Sequence, residues 1–159
     1  MDMIISSGFS ALNPLFTLSQ TLTSYEISNM PGITLKISGQ PDLARVQGIV
    51  SQLTALTCDV LEKRPEQTLV MVHFVPHEQW FINSCSLAEL GYNSFRLEVT
   101  ITDETNTKAQ KARFQREAFA LLAEEIGNLH PHSNIHLIDC RASAYGYGGV
   151  SQEYKHHHP

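Results

Sequence analysis

Eight histidines are the first residues in this 159-residue chain whose number invites a chemical reading, and metal binding is the chemistry they suggest. They cluster twice, as His130-Pro131-His132 and as His156-His157-His158. Neither cluster has a second ligand pair at zinc-site spacing, so no functional metal is expected. The three cysteines, Cys58, Cys85 and Cys140, are too few and too odd in number for a disulfide scaffold and suit a reducing compartment. Cys58 falls in an apolar helical pattern and Cys140 at a strand end, where both read as small hydrophobes rather than nucleophiles. Gly146-Tyr147-Gly148-Gly149 is no phosphate loop, since no Lys-Ser/Thr follows and no helix opens there. Lys36, His73 and Arg96 lie in strand-like segments. Their plain readings are a solvated lysine, a satisfied histidine in an apolar run and an arginine in a cross-strand ion pair. What else they can do depends on the elements that hold them.

The composition is that of a globular chain, 42% apolar and 17% charged. A net charge of −5 argues against nucleic acid, which calls for a basic face. No apolar run approaches the roughly 20 residues that span a bilayer, and no Lys or Arg precedes Lys36, so a secretory n-region is missing. A cytoplasmic location follows from these signs. Residues 1–30 are Ser/Thr/Asn-rich without sustained periodicity and read as an extension of unknown role. Residues 31–154 read as one domain, and 155–159 as a His-rich tail.

Ile33, Leu35 and Ile37 alternate with polar residues, as in a half-buried strand. Asp42 is a candidate N-cap, and Leu43, Val46, Ile49, Val50, Leu53, Leu56, Val60 and Leu61 form one helical stripe, closed by Lys63-Arg64-Pro65. Residues 68–75 (TLVMVHFV) read as a buried strand parallel to the first. The pattern then returns. Phe95, Leu97, Val99 and Ile101 alternate, Ala109 to Ile126 keep helical spacing, and 134–140 (NIHLIDC) read as a second buried strand. Val99 and Ile101 match Leu35 and Ile37 at an offset of 64, whereas Leu137 matches Val72 and Tyr145 matches Trp80 at 65. One residue is therefore added in the second strand-to-helix turn. The expected architecture is α+β, a tandem β-α-β duplication (31–90 and 91–154). It forms a four-stranded mixed sheet with both helices on one face. Lys36, Arg96 and Glu98 are expected on outer strands and the apolar runs on inner ones, with the uncovered face meeting another subunit.

Met30-Pro31-Gly32-Ile33 opening the first strand, the doubled unit, Glu78-Gln79-Trp80-Phe81-Ile82 and the closing Tyr145-Gly146-Tyr147-Gly148-Gly149 together resemble the tautomerase superfamily. The likeness is to its fused members, which carry two copies of the 4-oxalocrotonate tautomerase unit, and it covers roughly 31–154. The resemblance implies the tautomerase/MIF-like fold, a homotrimer and a cofactor-free keto-enol tautomerase. Its base would be an N-terminal proline, here Pro31. A free prolyl amine in an apolar pocket near cations has a lowered pKa and can shuttle a proton between carbon and oxygen of an enol. Trp80 and Tyr145 stand where the family has its aromatic wall, and Phe95 replaces the proline in the second repeat.

Two departures shape the expectation. Pro31 is internal as written, and an amide nitrogen has no useful basicity. The chemistry therefore requires translation from Met30 or a cleavage that frees Pro31. The family's arginine after the first strand is absent, as is one in 68–75. Lys36, Arg96 and His73 are then the candidate cations, alongside Trp80 and Tyr145 as substrate-binding residues. A 2-hydroxydienoate or enol-pyruvate type carboxylate replaces the oxo-dicarboxylate as the expected substrate. Glu66, just before the second strand, reads as a solvated turn residue; in a dehalogenase- or decarboxylase-like relative it would activate water. A non-catalytic trimer blocked by the extension is the remaining reading.

Overall fold

The computed structural model describes residues 30–158; the expected extension therefore lies outside the described residues except for Met30. Ile33, Leu35 and Ile37 are buried on one side of strand β1 (Gly32–Ser38). Asp42 caps helix α1 (Leu43–Leu61) by accepting the Arg45 N–H at 3.1 Å. A 3-10 turn at Pro65–Gln67 leads to β2 (Leu69–Val75), parallel to β1. The polar-aromatic segment that follows folds into a tight hairpin, β3 (Phe81–Ile82) and β4 (Cys85–Ser86), with a capped turn of helix, α2 (Leu87–Leu90).

The second half repeats this order. It comprises β5 (Phe95–Thr102), α3 (Lys108–Ile126) with Thr107 in a capping box, and β6 (Asn134–Cys140). The hairpin β7 (Gly146–Tyr147) and β8 (Val150–Ser151) and helix α4 (Gln152–His157) complete it. The duplication extends to single hydrogen bonds. Leu87 N–H donates to Trp80 O at 2.9 Å, and Gln152 N–H to Tyr145 O at 3.0 Å. Gly39 N–H donates to Val75 O at 2.8 Å, and Asp103 N–H to Cys140 O at 2.9 Å. The added residue falls between Asp103 and the Thr107 cap, in the strand-to-helix turn where the sequence offsets place it.

The sheet order is β2-β1-β5-β6, with β1 and β5 antiparallel and each outer pair parallel. This corrects the expected order. The strands bearing Lys36, Arg96 and Glu98 are central, and the two apolar runs are edges with every second residue on the open face. Those runs are not wholly buried: Leu69 is 49% exposed, Met71 46% and Ile138 40%. Their apolar composition reflects an uncovered apolar surface rather than an interior position.

Both helices cover the other face, where Ile33, Leu35, Leu97 and Val99 meet Ile49 and Leu53 of α1 and Phe114, Ala118 and Leu122 of α3. The helices run antiparallel: the Arg45 guanidinium donates to Glu125 O at one end, and Arg113 pairs with Asp59 at 2.9 Å at the other. Among the described residues no helix is long and apolar enough to cross a membrane.

Candidate active site

Pro31 heads the central strand β1 and is buried. Its carbonyl accepts the Leu69 N–H at 3.2 Å. The next residue is locked from the other side. Gly32 N–H donates to Thr100 Oγ1 at 3.2 Å, and the Thr100 hydroxyl donates to Gly32 O at 3.1 Å. A Cβ on Gly32 would lie 2.7 Å from Thr100 Oγ1, so glycine permits this close approach. The antiparallel register pairs Gly32 with Thr100. Carried one residue further, it sets Pro31 across from Ile101.

Four polar groups gather at this end of the sheet. The Tyr145 and Thr102 hydroxyls are hydrogen-bonded. Thr105 Oγ1 donates to Thr102 O at 2.6 Å and accepts from Lys63 Nζ at 3.2 Å. Lys63 follows the last turn of α1, whose Leu61 carbonyl is held by Asn106 Nδ2 at 3.0 Å. Only 6% of Lys63 is exposed, and burial lowers its amine to about 8 against the pull of the neighbouring Glu62 charge. Burial also pushes the Tyr145 phenol up, while the Thr102 hydrogen bond acts the other way.

A second constellation lies at the other end of β1. Lys36 and Arg96 are Cα partners across β1 and β5 and open into a cavity of about 460 Å3. Trp80, Phe81 and Ile82 of the first hairpin wall it, and His132 and Asn134 line its rim. Arg96 Nε donates to Glu98 Oε1 at 2.8 Å. That hydrogen bond first, then the charges of Arg96, Lys36 and His136, hold the Glu98 carboxyl below the usual range and keep it ionised. His73 is exposed on edge strand β2 beside Lys36 in register.

The structure thus divides the candidate residues. Pro31 and Tyr145 share one end, whereas Lys36, Arg96 and Trp80 share the other. Five residue steps along β1 lead from Pro31 to Lys36, about 16 Å at strand rise, so a five-carbon substrate at Pro31 does not touch Lys36 or Arg96 of the same chain. The antiparallel join accounts for this: it sends each repeat's aromatic hairpin to the strand start of the other repeat. Lys63 is the residue the sequence reading used only as a helix stop. Its signal was its place directly after the buried stripe, in a turn that returns the chain to Pro31. Glu66 and Arg141 are exposed. His130 is half-buried, its ring 5.2 Å edge-on to Tyr92 and its Nδ1 accepting the His132 N–H at 3.1 Å.

No family model matches the sequence, and no curated protein does. Solved structures do match. A native fused 4-OT is 17% identical, with a TM-score of 0.70 over 77% of this chain and 97% of that one. Pt0534 inactivated by 2-oxo-3-pentynoate is 13% identical, with a TM-score of 0.69 over 78% and 98%. The asymmetric trimer of wild-type F6 fused 4-OT is 14% identical, with a TM-score of 0.68 over 78% and 98%.

Proposed function

We propose that this chain, which has the tautomerase/MIF-like fold of the fused 4-OT structures, is a cofactor-free keto-enol tautomerase whose base is the Pro31 nitrogen once it is a free amine. The observation that supports this is the surroundings of Pro31: a buried proline at the head of a central strand, with a buried cation and a half-buried phenol at the same sheet end. The amine takes the proton from the 2-hydroxyl of an enol-pyruvate or hydroxydienoate carboxylate. The electron pair moves to carbon, and the prolyl ammonium returns the proton there. Lys63, protonated below about pH 8, is the cation suited to the substrate carboxylate. Tyr145 supplies an aromatic wall fixed through Thr102. Apolar walls and the Lys63 charge both lower the pKa of the prolyl amine, leaving part of it unprotonated near neutrality.

The exposed apolar residues on the edge strands of the open face suit a homotrimer, the state named for the F6 fused 4-OT. The three cysteines, none in a disulfide, suit a reducing, cytoplasmic setting. The test is ketonisation of phenylenolpyruvate by a chain whose first residue is Pro31. Activity lost on Pro31→Ala supports the reading, and equal rates for the two remove Pro31 from the chemistry.

A further inference from the structure

We propose that the cavity between Lys36, Arg96 and Trp80 is a second, non-catalytic binding site, which takes a carboxylate with an apolar or aryl tail. The duplication places Phe95 at this end where Pro31 stands at the other. Phe95 is fully buried, its ring 5.5 Å from that of Phe119, so it offers no proton-transfer group. The binding groups at this end nonetheless outnumber those a surface depression needs. Lys36 and Arg96 face one ionised carboxylate, Glu98, which leaves the group cationic. Arg96 spends only its Nε on Glu98; among the described residues its terminal nitrogens and Lys36 Nζ make no hydrogen bond. Two such donors side by side suit a carboxylate.

The rest of the cavity sets the ligand class. Trp80, Phe81 and Ile82 offer an apolar wall, and about 460 Å3 lies within the range of pockets for small organic ligands. The separation of about 16 Å along β1 keeps this site apart from Pro31 of the same chain.

Trp80 is the single tryptophan, so intrinsic fluorescence reports on this cavity alone. The full chain is titrated with 3-phenylpropionate, and with 3-phenylpropanol as the probe lacking the carboxylate. A saturable change is expected, with weaker binding of the alcohol. The Lys36→Gln/Arg96→Gln double variant is expected to lose at least about tenfold in affinity, and Pro31→Ala to leave the titration unchanged. Lys36→Glu, a charge reversal at an exposed position, is a second variant expected to weaken binding, and thermal melts verify that each variant is folded. No saturable change overturns the site. So does an unaltered affinity in the folded double variant, and loss of binding on Pro31→Ala overturns its independence. Because binding is read without turnover, failure of the prolyl-base mechanism leaves this result interpretable.

Discussion

Phe95 stands in the second repeat where Pro31 stands in the first, and the antiparallel pairing of β1 with β5 sets the two at opposite ends of one sheet, with Phe95 across from Ile37. The pseudo-symmetry therefore yields two unlike ends. One has a potential base, a buried lysine and a tyrosine. The other has two cations, Lys36 exposed and Arg96 half-buried, a tryptophan and no base.

Lys63 couples the first end to pH. Its amine lies at about 8 in the folded chain against an ordinary 10.5. Between these values the unfolded chain binds more protons, so stability rises as pH rises from about 8. Below that, the cost of burying the charge is fully present. Lys63→Met is expected to stabilise the fold at pH 7 by at most about 3.5 kcal/mol, at about 1.4 per pKa unit, and so to raise the melting temperature. The gain should shrink toward pH 10.5. Thermal melts at pH 7 and pH 10 check this; a gain that does not change with pH would remove the linkage.

The same lysine predicts a pH–rate profile. The rate constant kcat/KM climbs as the prolyl amine deprotonates and falls as Lys63 loses its proton near pH 8. Lys63→Gln is expected to raise KM by about tenfold while leaving kcat less affected, and to abolish the alkaline limb. Steady-state kinetics across pH decide it.

Gly32 and Thr100 hold the residue that follows Pro31. Gly32→Ala forces a Cβ to 2.7 Å from Thr100 Oγ1, and a loss of about 1–3 kcal/mol is expected. Combining it with Thr100→Ala removes the obstructing atom, so the double variant should be more stable than the sum of the single losses predicts. Urea denaturation of the four chains of this cycle measures the coupling.

Leu69, Met71 and Ile138 place exposed apolar residues on the edge strands of the open face, and the proposed trimer buries these edges. Ile138→Lys is expected to shift the chain toward monomer with its secondary structure retained. Light scattering with circular dichroism tests this; a wild-type chain that is monomeric at micromolar concentration would contradict the trimer.

Much of the fold was legible because two periods, two for strands and 3.6 for helices, repeat with nearly constant offset. The strand order was not. TLVMVHFV looks like an interior strand because its outward residues, Leu69 and Met71, are apolar too, and a single chain does not show what covers them. The site was legible residue by residue but not as a grouping. Lys36 and Arg96 were recognisable as cations, yet only the antiparallel register shows that they attend Phe95 rather than Pro31. Lys63 was hidden because a lysine at a helix end has an ordinary explanation.

The central claim is that a free Pro31 amine is the base. Phenylenolpyruvate ketonisation is compared for the chain begun at Pro31, its Pro31→Ala variant and the full chain, with intact mass recorded for each. The account predicts turnover only when Pro31 is the first residue, and a loss of at least about a hundredfold in kcat/KM on Pro31→Ala. Equal rates for the first two chains, or an active protein whose mass retains residues 1–30, would contradict it.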